Sequence, residues 1–199
     1  MVKPEEIILL VEVHGGDKKV IQYLLTLSFI KRMALRTQKL EITYKEFDTP
    51  DELEENDRIL LETAIETADN AYAPYSNFRV GAALKLESGT IVKGTNVENA
   101  AFPSGICAER SAISAAVSNY PEDKPVVIAI AALTDSGITE EPVTPCGNCR
   151  QVIAEEESRN GKQIKLILSG KKKIIVIEGI KNLLPLQFSK INLRTTLPL

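Results

Sequence analysis

Three cysteines carry most of the chemistry open to this chain: Cys107, Cys146 and Cys149. Two lie in Pro145-Cys146-Gly147-Asn148-Cys149-Arg150, and the third opens Cys107-Ala108-Glu109-Arg110. A CxxC pair alone admits a thioredoxin-like redox pair or half of a structural zinc site. The third cysteine separates these readings. A structural zinc site is closed by four protein ligands, whereas a catalytic one uses three and leaves a position for water. The single histidine, His14, lies far away in the leading segment, so no fourth soft ligand is evident. Three thiolates match the catalytic count. A redox pair would not require the second motif, with an acid two residues beyond its cysteine.

The surroundings suit thiolates. A free thiol has a pKa of about 8.5 and must lose its proton to bind metal. Both motifs open predicted helices, whose N-termini carry roughly half a positive charge and unpaired N–H groups. Arg110 and Arg150 follow the ligands and can donate to sulfur. Zinc with three thiolates has a net charge of −1, which blunts its Lewis acidity, and such donors would restore part of it. Glu109 beside a metal-activated water is a natural proton carrier to a leaving group. The competing reading is a plain helix cap, because acids are favoured in a first turn.

The elements that must position these groups follow from periodicity. Lys39–Phe47 alternates like an edge strand. Thr49-Pro50-Asp51-Glu52 reads as a helix start with a capping box, and apolar positions from Leu53 to Ala68 predict a helix over 50–71. Strands are expected at 79–86 and 90–96 across Glu87-Ser88-Gly89, a hairpin signal. Helices are expected at 107–119 and 147–159. The run Val126–Leu133 reads as a central strand covered on both faces, followed by strands at 164–168 and 173–178. This order implies an α/β sandwich with helices on both faces of one sheet. Residues 1–38 stand apart: they hold both methionines, Met1 and Met33, and show no clean period. They read as an atypical extension before a catalytic domain at 39–199, with Met33 an alternative start.

Composition excludes several classes. With 44% apolar and 26% charged residues over 199 positions, the chain is neither collagen-like nor wholly disordered. Its best apolar run, Val20–Ile30, falls short of the ~20 residues a membrane span needs and makes a poor secretory signal. An odd number of cysteines argues against a disulfide framework, so a reducing cytoplasm is the expected compartment. The net charge of −3 hides a division. Residues 39–161 hold 10 basic and 22 acidic residues, whereas 162–199 hold 8 and 1. The basic tail could touch a polyanion, but its lysines flank strand-like runs and read more simply as a solvated sheet edge.

The motifs together resemble cytidine deaminases. The pattern Cys-Ala-Glu followed by Pro-Cys-x-x-Cys matches the zinc deaminase signature. Ala73-Pro74-Tyr75-Ser76-Asn77-Phe78-Arg79-Val80-Gly81-Ala82-Ala83 and Asn96-Val97-Glu98-Asn99-Ala100 extend the match in order and spacing over about residues 40–190. Cysteine rather than histidine at 107 resembles the small, homotetrameric, all-thiolate branch. The resemblance implies a three-layer α/β/α sandwich with a mixed sheet of about five strands. It implies one Zn2+ per subunit on Cys107, Cys146 and Cys149, with Glu109 as general acid/base. It also implies Phe78 against the pyrimidine, Asn96 and Glu98 on the ribose with Glu98 taking the 3′-hydroxyl, and the Ala108 N–H on the base carbonyl. Phe102 and Phe188 would come from a neighbouring subunit. The implied reaction is hydrolytic deamination of cytidine and 2′-deoxycytidine to uridine and 2′-deoxyuridine with release of ammonia, in pyrimidine salvage.

An anionic acceptor such as Glu98 suits a sugar hydroxyl and repels a phosphate, so the expected partner is a nucleoside rather than nucleic acid. One departure is Phe102, where many relatives place Tyr, which removes a phenol hydrogen bond. Three alternatives stand beside this reading. They are a deaminase of a modified nucleoside such as blasticidin S or of a free base, a polynucleotide-editing deaminase, and a non-catalytic zinc or redox module.

Overall fold

The computed structural model describes residues 37–193. The leader expected at 1–38, with Met33 as alternative start, lies outside the described residues apart from Thr37 and Gln38. The sheet and its helices belong to the unit Leu40–Leu199.

Seven strands form one mixed sheet: β1 (Lys45–Phe47), β2 (Arg79–Leu86), β3 (Ile91–Thr95), β4 (Pro125–Thr134), β5 (Gly137–Ile138), β6 (Lys165–Leu168) and β7 (Ile174–Glu178). Their order is β1-β7-β6-β4-β2-β3, with β5 paired to β4. The resemblance implies about five strands and the sheet has seven. The edge strand expected over Lys39–Phe47 forms at Lys45–Phe47 against β7, and the strand not expected is Gly137-Ile138, which folds back on the end of β4. Only β4 and β6 run parallel, a pairing that needs a crossover, supplied here by a helix.

Among the described residues three α-helices flank the sheet: α1 (Glu55–Ala68), α2 (Ala108–Asn119) and α3 (Gly147–Asn160). Alternation along β2 sorts them. Ala82, Leu84 and Leu86 join Ala112, Ile113, Ile153 and Ala154 from α2 and α3 in one core cluster. Ala83 joins Leu60, Leu61 and Ala64 from α1 in the other. Successive strand residues face opposite sides, so the result is three layers.

Two glycines set the spacing between layers. A Cβ on Gly81 would lie 2.1 Å from the Ala64 carbonyl oxygen of α1. A Cβ on Gly94 would lie 2.4 Å from the Ala112 nitrogen and 2.5 Å from the Ala108 oxygen of α2. Glycine lets helix backbone seat directly on the strands, and at Gly94 it draws in the helix that carries Glu109.

The helix expected over 50–71 is divided. Pro50–Glu52 form a single 3-10 turn, and the Thr49 N–H donates to Glu52 Oε1 at 3.1 Å as one half of a capping box. Leu53 then returns to extended backbone at ψ 156°, and α1 begins at Glu55. Leu53 is buried in the cluster beneath α1, so burial of its side chain overrides local helix propensity.

Candidate metal and nucleoside site

Each ligand motif sits where a helix begins. Cys107 is the N-cap of α2 and Cys146 the N-cap of α3, both in extended backbone. The Cys149 N–H donates to Cys146 Sγ at 3.5 Å. Cys107 Sγ lies 3.9 Å from Cys146 Sγ, and Cys146 Sγ lies 3.4 Å from Cys149 Sγ. All three sulfurs fall within 4.8 Å of one another, and all three thiols are free. Tetrahedral zinc with Zn–S bonds of about 2.3 Å requires sulfurs about 3.8 Å apart. The observed spacing and the all-sulfur, soft donor set therefore fit zinc.

Electrostatics point the same way. Burial raises the Cys149 thiol above its ordinary range, and the negative charge of Glu109 adds to the shift. Cys107 is raised for the same reason, burial first. Burial also pushes Cys146 upward, but hydrogen bonds from the Cys149 and Asn148 amides and from the neighbouring thiols hold it below the usual thiol value. Glu109 is 5% exposed, and burial raises its carboxyl above the usual carboxylate range against the pull of its own amide, Cys149 and Arg110. Three thiols and a carboxyl so close together resist ionising on their own, and a divalent cation would favour the thiolate forms.

A second group of residues gathers beside this one. The Val97 and Ile106 backbones exchange two hydrogen bonds at 3.0 Å, which ties the Asn96–Glu98 segment to the residue preceding Cys107. Glu98 accepts from the Ser76 hydroxyl at 2.5 Å and from the Tyr75 amide at 2.9 Å. These bonds, the Ser76 hydroxyl foremost, hold its carboxyl below the ordinary range. Asn96 Oδ1 accepts from the Val80 N–H at 2.7 Å, and its Nδ2 donates to the Phe78 oxygen at 2.9 Å. Phe78 is half-buried at this junction. Ala108 is fully buried at the first position of α2, where a backbone N–H has no intrahelical partner.

The other expected residues are placed as follows. Phe102 is 75% exposed and meets Tyr75 edge to face at a centroid distance of 5.9 Å. Phe188 is exposed in the segment after β7. Arg110 Nη2 donates to the Gly105 oxygen at 3.3 Å, while its Nε is buried without a partner. Arg150 donates to three oxygens, those of Pro145, Thr144 and Leu183. Ser76, which fixes Glu98, escaped the sequence reading although it lies inside a quoted motif. A hydroxyl in a turn-rich loop gives no sign of a partner 22 positions away.

Comparison with known proteins agrees with this geometry. Residues 54–161 match the family model of the cytidine and deoxycytidylate deaminase zinc-binding region. The chain is 46% identical over 98 residues to a cytidine deaminase of Halalkalibacterium halodurans, covering 49% of this chain and 70% of that protein. It is 44% identical over 131 residues to a cytidine deaminase of Sporosarcina psychrophila, covering 66% and 90%. The crystal structure of cytidine deaminase from Burkholderia pseudomallei superposes with a TM-score of 0.56 at 35% identity, covering 65% of this chain and 97% of that one. A half-chain family match, relatives covered over 70–97% of their length and a soft three-sulfur centre at two helix starts lead to one conclusion: this chain belongs to the cytidine and deoxycytidylate deaminase family.

Proposed function

We propose that this chain is a zinc-dependent hydrolase converting cytidine and 2′-deoxycytidine to uridine and 2′-deoxyuridine with release of ammonia, a step of pyrimidine salvage. The observation that carries it is the buried Glu109 carboxyl beside three sulfurs spaced for one zinc ion. Residues 39–199 form the catalytic domain in this reading, with 1–38 as an extension to it. Cys107, Cys146 and Cys149 hold the metal, and bound zinc supplies the Lewis acid that makes water nucleophilic near neutral pH. Glu109 carries both protons of the attacking water in turn: the first goes to N3 of the base as a C–O bond forms at C4, and the second goes to the amine as the C4–N bond breaks and the C4 carbonyl forms.

The base is held by the Phe78 ring and by the Ala108 N–H on its carbonyl. Glu98 uses three acceptor sites on Tyr75 and Ser76. A carboxylate offers about four, which leaves one for the 3′-hydroxyl. Its negative charge disfavours a phosphate there, so the substrate is a nucleoside. Asn96 keeps one amide hydrogen for the sugar while bracing the Phe78–Val80 backbone.

In our reading the enzyme is a cytoplasmic homotetramer. Exposed Phe102, Leu186 and Phe188 support a neighbouring copy covering them and completing the site. Among the described residues no helix is long and apolar enough to cross a membrane.

Zinc content and the ultraviolet change on incubation with cytidine test the proposal. Wild type should bind one zinc and convert cytidine. Glu109→Gln should keep its zinc and lose about 10²–10⁴-fold in turnover, the usual worth of a general acid/base. Zinc-loaded wild type that leaves cytidine and deoxycytidine untouched defeats the proposal, and turnover of blasticidin S in their place would reassign the substrate.

A further inference from the structure

We infer that Arg150 and Gln151 bind the C-terminal segment Leu183–Phe188 to the metal-binding helix as a strap, so that strap docking and zinc retention favour each other. The inference rests on Cys107, Cys146 and Cys149 being the zinc ligands.

The guanidinium of Arg150 joins two stretches of chain. Its Nε donates to the Pro145 oxygen at 2.8 Å and its Nη2 to Thr144 Oγ1 at 3.1 Å, both just before Cys146. Its Nη1 donates to the Leu183 oxygen at 2.9 Å. The next residue, Gln151, donates from Nε2 to the Phe188 oxygen at 2.9 Å. Further along the same helix, Glu157 Oε1 accepts the Ile180 N–H at 2.9 Å and fixes where the segment enters. Leu183 and Leu184 pack on the core, whereas Leu186 and Phe188 point out at 85% and 57% exposure. The strap is thus gripped by its apolar root and two backbone carbonyls, and it presents its remaining apolar side chains outward.

Coupling follows from the planarity of the guanidinium. With Nε and Nη2 tied to Pro145 and Thr144, the direction of Nη1 is set, because the five donors form a rigid fork. Fixing Cys146 and Cys149 on a metal fixes Thr144 and Pro145, and so aims Nη1 at Leu183. In the opposite sense, a docked strap holds the arginine and through it the backbone that presents Cys146. Linkage of this kind is reciprocal and typically worth about 5–150-fold in affinity. Arg150 and Gln151 are then positioning residues that reach the metal through backbone.

The test uses the full-length protein, zinc-loaded and after chelation. Amide hydrogen exchange should rise on zinc removal in the peptide spanning 181–193, while amides of β2 and β4 stay protected. Zinc transfer to a chromophoric chelator should be about tenfold faster in Arg150→Lys, within the usual range of such couplings, and its melting temperature should fall further below wild type in the zinc-loaded protein than in the metal-free one. Gln151→Ala, at an exposed bond, should release zinc faster by a smaller factor and serves if Arg150→Lys folds poorly. Strap exchange that ignores zinc, or wild-type release rates in the variants, overturns the coupling alone when wild type binds one zinc per chain. A wild type that binds no zinc overturns the ligand assignment and the coupling with it.

Discussion

Asn96 commits both ends of its amide to its own chain, on the Val80 N–H and the Phe78 oxygen. The family resemblance implies a sugar contact for this residue, and the structure adds a bracing role on the Phe78–Val80 backbone. Asn96→Ala would leave two partly buried backbone groups without partners. Each such loss costs about 1–3 kcal/mol. Urea denaturation should therefore show a clear destabilisation, accompanied by a rise in KM for cytidine, and a KM change at unchanged stability would contradict the bracing role. Arg150 tells a similar story. Its position after a ligand suggests a bond to sulfur, yet its donors go to the oxygens of Pro145, Thr144 and Leu183. The residue type is legible in sequence, but the choice among acceptors depends on which chain passes nearby.

At the scale of elements, most strands and helices follow from periodicity because each has one buried face. The exceptions have tertiary causes. Of the alternating run 39–47, Lys45–Phe47 pairs with Val176–Ile174 of β7, while residues 39–44 stay exposed outside the sheet. The helix start at Thr49 yields one turn because Leu53 is buried elsewhere in the core. Gly94 shows what position demands beyond propensity. An alanine there would place Cβ within 2.5 Å of the α2 backbone, and forcing volume into a packed interface typically costs about 1–3 kcal/mol. Gly94→Ala should thus lower the melting temperature, and by displacing Cys107 and Glu109 it should also weaken zinc retention. Stoichiometric zinc at wild-type affinity in this variant would show that α2 is not seated by Gly94.

Across the whole molecule, the basic tail loses its appeal as a nucleic-acid surface. Lys171, Lys172 and Lys173 pair with Glu140, Glu141 and Glu46, Lys165 with Asp57, and Lys162 with Glu87. The acidic centre and the basic end therefore answer one another within the fold. Global stability carries a pH signature from Glu157, whose Oε1 accepts the N–H groups of Ile164 and Ile180. Burial raises its carboxyl despite those bonds. A carboxyl raised in the folded state binds its proton more tightly there than in the unfolded chain. Its contribution is most favourable below the unfolded pKa and is lost as pH rises through the folded one. Glu157→Gln keeps the acceptor and removes the charge, so its stability relative to wild type should improve from pH 4 to pH 7. Paired urea melts at the two pH values check the sign, and a difference that stays flat would place the titration elsewhere.

By itself the sequence determined the ligand chemistry, the order of elements and the family, because cysteine spacing, helix starts and apolar periodicity are local properties. Tertiary structure alone decided which groups meet. Cys107 joins Cys146 and Cys149 because Gly94 admits α2 against β3 while β4 and α3 bring the second motif to the same place. Glu98 and Asn96 reach that centre through the Val97–Ile106 bridge. The chain from Leu183 to Phe188 becomes part of the metal-binding region because Arg150 and Gln151 grip its carbonyls. Backbone acceptors carry no residue identity, so no sequence motif could have announced that last connection.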